Sequence, residues 1–207
     1  MIFLSAVGLG AAHAQTAPAA PAARSLHEIK GFRSAHFGMS EEEVRAAVAR
    51  DFKDYAALIQ QADNPVDRVR LLVLPLPALE PGPGAAGVTY IFGATSHKLI
   101  QVNVLWTTSP KPGDAERSRL ATAGIQLSDY FRALGWRPDA ATMGVPLGPN
   151  GLVLFSGVDP HKAMVEVTLF GSVIRNKDSA APEGPAKLRV AYISTIGAAD
   201  VAPAPKK

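Results

Sequence analysis

The chain contains no cysteine. A disulfide framework, a thiol nucleophile and a thiolate metal site are therefore excluded. So is the acylated cysteine that tethers a lipoprotein. Charge is sparse, at 19% of residues, and the net value is only +3. The basic residues are scattered and form no run interleaved with aromatics, so nucleic acid is not an expected partner. No apolar run reaches the ~20 residues of a membrane-spanning helix, and no transmembrane anchor is expected. Catalytic signatures are missing as well: no G-x-S-x-G elbow, no S-x-x-K and no phosphate-binding Gly-rich loop ending in Lys-Ser/Thr. Acidic residues are plentiful, but no spacing ties two of them across a cleft.

An export signal is present. Ile2 to Ala12 is apolar and uncharged, and Ala12-His13-Ala14 is an A-x-A cleavage site before Gln15. No Lys or Arg precedes the apolar run. Residues 1–14 are read as a signal peptide removed near Ala14, which places the mature chain in the periplasm or outside the cell. Residues 15–27 follow as an Ala/Pro-rich linker. Residues 197–207 form a similar tail, and neither can offset its ordering entropy by burial. Between them, residues 28–196 suit one domain.

Within that domain the first helix is the best specified. Ser40 and Glu43 make a capping box, and Met39 and Val44 hold the staple positions. Val44, Val48, Phe52 and Tyr55 recur at helical spacing. Glu41, Glu42 and Glu43 fill the first turn, where the helix dipole favours acids. Strands are predicted over Val69–Leu76, nearly continuous in Leu and Val, over Val88–Phe92 and over Leu99–Thr107, the last two joined around Gly93–His97. A second helix within Asp114–Leu134 presents Leu120, Ala123, Leu127, Phe131 and Leu134, with Gly135 and Pro138 as its stop. Three more strands are predicted over Leu152–Phe155, Ala163–Phe170 and Leu188–Thr195, while 138–150 reads as a loop.

The expected fold is α+β: one six-stranded antiparallel sheet or two three-stranded sheets, with both helices packed on one face. The order helix, three strands, helix, three strands suggests a duplicated αβββ unit with halves at 28–108 and 109–196. Gly87, Gly93, His97 and Lys98 recur at constant offset as Gly151, Gly157, His161 and Lys162.

The candidate site residues are few. His97 and His161 fall at predicted hairpin tips, and His27 and His36 near the N-terminus. None has the spacing of a metal ligand pair, so no metal or cofactor is expected. Trp106, Trp136, Tyr90, Phe92, Phe155 and Phe170 are the large aromatics, mostly core by type. Those left outside the core, with Tyr90, Phe92 and Trp106 foremost, would form a binding surface together with His97 and His161.

The stretch Phe37-Gly38-Met39-Ser40-Glu41-Glu42-Glu43-Val44 resembles the G-M-[ST]-x-x-x-V helix start of small bacterial envelope proteins. These are the outer-membrane-assembly lipoproteins of the SmpA/OmlA type and the β-lactamase-inhibitor-like fold. Tyr90-x-Phe92 followed by a Lys98-Leu99 strand is similar to their Y-x-F hairpin. The resemblance implies a small antiparallel sheet beside one or two helices, and action by binding other proteins. It implies no catalytic residue. The chain departs from the lipoproteins in having no cysteine, and in placing a single helix before each strand set. The functional expectation is a non-enzymatic envelope protein that binds another protein or an envelope component. The rivals are a carrier of a small apolar ligand and a hydrolase or metal enzyme built on His97, His161 and scattered acids.

Overall fold

The structure is a computed structural model and describes residues 26–64, 69–171, 183–195 and 200. The predicted signal peptide, nearly all of the linker, and the tail apart from Asp200 lie outside the described residues.

The chain opens with a two-stranded ribbon, β1 (Gly31–Phe32) and β2 (Ala35–His36), then α1 (Glu41–Asp51) and a short 3-10 turn. The capping box forms as its residues dictate. The Ser40 hydroxyl accepts from the Glu43 amide at 3.3 Å, and the Glu43 carboxylate accepts from the Ser40 amide at 2.7 Å. Four strands follow: β3 (Gln60–Asn64), β4 (Val69–Leu76), β5 (Ala86–Phe92) and β6 (Leu99–Thr107). After α2 (Asp114–Arg132) come β7 (Ala141–Thr142), β8 (Val145–Pro146), β9 (Gly151–Val158), β10 (Met164–Phe170) and β11 (Lys187–Ile193).

Nine of these strands form one antiparallel sheet in the order β3-β4-β5-β6-β11-β10-β9-β7, with β8 also on β9. The two predicted halves thus share a sheet, joined at a β6–β11 seam in which Val104 pairs with Val190. Each half contributes a three-strand meander running outward from that seam. The constant-offset match of Gly and His residues does not follow this arrangement. It equates β5 with β9 and β6 with β10, whereas the sheet order equates β5 with β10 and β6 with β11. The two turns also differ in length. Phe92 pairs with Leu99 at one, and Val158 with Met164 at the other, so the second turn is one residue shorter.

Both helices lie on one side of the sheet. From α2, Phe131 contacts the rings of Phe155 and Tyr192. From the C-terminus of α1, Phe52 stacks on Phe32, which in turn meets Tyr192. Helix α2 approaches closely at Gly124, where a Cβ would stand 2.6 Å from Leu154. Beneath the helices the strands supply Leu72, Tyr90, Val102 and Val165 in one row. The next row is Leu74, Val88, Val104, Val190, Val167 and Phe155, all within one core cluster.

One expectation needs correction here, and one strand was not expected. The apolar run Val69–Leu76 buries Val69, Leu72, Leu74 and Leu76, while Leu71 and Val73 are only half-buried. The loop read over 138–150 supplies β7 and β8, two short strands that cap the β9 edge. The polar segment Gln60–Asn64 is the opposite edge strand, paired to β4. A polar edge strand lacks the alternating apolar signal because it has no buried face, and its polarity guards the edge against pairing with other chains.

Candidate functional site

Side chains alternate along each strand, so residues directly paired across the sheet point to the same side. The side without helices therefore has its own rows. Leu71, Ile91, Gln101, Ile193, Met164 and Val158 form one; Val73, Thr89, Asn103, Ala191, Glu166 and Ser156 form the next; Pro75, Gly87, Leu105, Arg189, Thr168 and Val153 form the third. Most are half-buried, and Leu105 is 38% exposed. Thr168, Ala191 and Val153 are the buried members.

The only charges in these three rows are Glu166 and Arg189. They neutralise each other through a 2.7 Å bond from Arg189 Nη2 to Glu166 Oε1. Beside them, Gln101 donates to Asn103 at 3.0 Å. These three rows are therefore electrically neutral, a mixture of aliphatic groups with self-satisfied amides, and the next row adds exposed Lys187 between Thr107 and Phe170. The Arg189 Nε and the Thr168 hydroxyl are buried with no hydrogen-bond partner among the described residues.

The expected binding surface is redistributed. Tyr90, Phe92 and Trp106 are 0%, 2% and 3% exposed and belong to the core beneath the helices. They cannot line a surface. The Tyr90, Phe92 and Trp106 side chains share the parity of Val88 and Val104, which fixes them on the helix side. Trp106 is further anchored by its indole N–H, which donates to the Leu79 carbonyl at 2.8 Å. Burial pushes the Tyr90 and Tyr192 phenols well above the ordinary tyrosine range.

His97 and His161 are exposed on their turns, as expected, and both turns lie at the same end of the sheet. His161 shares a cleft of about 390 Å³ with His36, Glu28, Asp159 and Ser194. His97 is not among its lining residues. The His161 Nε2 stands 3.7 Å from a Glu28 oxygen, with the imidazole 73% exposed. Among the described residues, no group of three or more His, Asp or Glu is placed to hold a metal ion. A second cleft, of about 210 Å³, opens between the N-terminal segment and α2, with Phe32, Tyr130, Phe131 and Tyr192 in its lining.

The carboxylate that matters at this end is Asp159, which precedes Pro160 in the β9–β10 turn. It is 2% exposed. It accepts the backbone N–H groups of Ile29 at 2.9 Å, His161 at 2.8 Å and Ala163 at 2.9 Å. The last two bonds fix the β9–β10 turn, and the first clasps the N-terminal segment to it. That segment is held again where the His27 amide donates to the Gly135 carbonyl and the His27 ring meets Trp136. The expected linker therefore gives way to fixed chain by His27. Asp200 plays a similar part on the β5–β6 turn, accepting from the amides of Thr95 and Ser96 at 2.9 and 3.1 Å. The Ser96 side chain, followed by those two amides, holds the Asp200 carboxyl below the usual range. The Asp-Pro dipeptide at 159–160 was the available signal for the first clasp; the 130-residue separation between Asp159 and Ile29 hid the rest.

Comparison with protein-family models, with curated proteins and with solved structures finds no match to this chain. No helix among the described residues is long and apolar enough to cross a membrane.

Proposed function

We propose that this chain is an exported, non-enzymatic envelope protein that binds another protein or an envelope component, and that it does so across the helix-free face of its sheet. The observation that supports this reading is the face itself. Six adjacent strands present a largely aliphatic surface, with Lys187 at one end, on which neither helix packs. An antiparallel sheet with one wet face is stable without a partner. A wet face normally alternates to strongly polar residues, however, and this one carries Leu71, Val73, Ile91, Leu105, Ile193, Met164 and Val158. Aliphatic groups gathered on one accessible face are the usual mark of a docking surface.

The export signal at Ile2–Ala14 supports the location. Mass spectrometry of the protein from its native host should find Gln15 as the mature N-terminus. An intact Met1 in the cytoplasmic fraction would remove the envelope from the proposal. Binding is tested by capture from envelope extract with the full mature chain and with a Val73→Lys/Asn103→Lys variant. Partners retained by the first should be lost by the second, and equal capture by both would sink the assignment of the face.

A second reading, a carrier of a small apolar ligand, would use the cleft of Phe32, Tyr130, Phe131 and Tyr192, which is also lined by His27, Glu28, Lys30 and Arg33. A Tyr130→Ala chain that lost a co-purifying small molecule, while keeping partner capture, would favour it.

A further inference from the structure

We infer that the helix-free face is occupied by a second copy of this chain, giving a face-to-face dimer; the inference rests on that face being the docking surface proposed above. Three properties of the face lead to this occupant.

The first is size. Six strands about 4.8 Å apart and seven residues rising about 3.4 Å each give a face of roughly 700 Å² before its relief is counted. A standard specific interface covers roughly 800 Å² per partner. The face thus approaches the standard size per partner before its relief is counted.

The second is charge. Glu166 and Arg189 neutralise each other within one copy, so the middle of the face exerts no net attraction for an acidic or a basic partner. Its middle also has no net repulsion against itself, and Lys187 stands in the end row beyond it.

The third is register. Two sheets stack face to face about 10 Å apart with strands nearly aligned. A twofold axis parallel to the strands, over the β6–β11 seam, lays β4 over β9 of the other copy and β5 over β10. The rows then coincide. Leu71 of one copy faces Val158 of the other, Ile91 faces Met164, and Thr89 faces Glu166, whose free lone pairs can accept its hydroxyl. Leu105 meets the aliphatic stem of Arg189. The alternative twofold, across the strands, would set Glu166 directly on Glu166 of the second copy, a like-charge contact that disfavours it.

The absence of native cysteine makes the register measurable. Within one copy, positions 91 and 164 are three strand spacings apart, about 14 Å, too far for direct bridging. An Ile91→Cys chain mixed with a Met164→Cys chain should therefore be joined by a short bismaleimide only across the dimer. Sedimentation velocity of the full mature chain at micromolar concentration should show a dimer. Ile91→Lys, and independently Met164→Lys on another strand, should weaken it by roughly a hundredfold while thermal melts show the chain still folded. Thr89→Glu, which opposes Glu166, should weaken it too.

A chain that sediments as a monomer at ~100 μM overturns the inference, as does a dimer indifferent to all three substitutions. If the chain is monomeric yet Val73→Lys/Asn103→Lys still abolishes partner capture, the docking face stands and only the second copy is refuted. If the dimer forms through this face and no envelope component is captured, the dimer stands and the binding reading falls.

Discussion

Val88 and Thr89 are neighbours in β5, and they meet opposite worlds. Val88 lies under the helices at 0% exposure, in a row that ends on Phe155. Thr89 lies on the other side, half-buried between Val73 and Asn103. The helix-covered face is aliphatic and aromatic in its buried rows, and the Tyr90 hydroxyl lies there with no hydrogen-bond partner among the described residues. The helix-free face mixes aliphatic groups with amides and one closed ion pair. The difference teaches what each face is built to exclude. A core excludes water permanently, so unpaired polar atoms are costly there. On the helix-free face the amides and the ion pair satisfy one another, while the Thr168 hydroxyl and Arg189 Nε are buried with no partner among the described residues.

The comparison can be broken most directly at Phe155, whose ring stacks on Phe131 and meets Trp136. Phe155→Ala is predicted to cost about 3–5 kcal/mol in urea unfolding. A cost near zero would mean the helices do not seal that face. Next comes the clasp at the sheet's end. Asp159→Ala strands three buried or part-buried amides and should cost roughly 3 kcal/mol. Hydrogen exchange at the Ile29 amide should rise with it; an unchanged exchange rate would show that the N-terminal segment is held by other contacts.

The sharpest test uses one isosteric change on both faces. Val88→Thr buries a hydroxyl and should cost about 1–3 kcal/mol, whereas Val73→Thr should stay within about 0.5 kcal/mol. Equal costs would mean that the second face is sealed as well. Ser40→Ala removes the cap oxygen of the helix over the covered face and should cost about 1 kcal/mol by the same measurement.

The smallest effect is expected at Asp200. Its carboxyl is held below the ordinary value, so its contribution is present above about pH 3.9, the unfolded aspartate value, and is lost as pH falls through the lower folded one. Amide shifts of Thr95 and Ser96 followed by NMR should move together in that acid range, and Asp200→Asn should abolish the transition.

Much of this was readable from local pattern. The Ser40–Glu43 capping box, both helices and the six long strands follow from spacing within short windows, because capping and alternation are local physics. The β5–β6 turn was read at the right place for the same reason. Less legible were Gln60–Asn64 and the 141–146 edge strands, which have little or no buried face to leave a period. The three aromatics assigned to a surface failed differently. Tyr90, Phe92 and Trp106 alternate correctly, but alternation distinguishes two faces without saying which one a helix will cover.

The sequence by itself determined both helices, the six long strands, the α1 capping box and the cysteine-free chemistry, each a matter of residue type or of residues near one another in the chain. Tertiary structure alone decided that the two three-strand meanders join at β6 and β11, that both helices choose the Tyr90 side, and that Asp159 clasps Ile29 across 130 residues. The physical reason is that a strand's two faces are related by a one-residue step, and which becomes the core depends on the combined apolar area that distant segments can bury together.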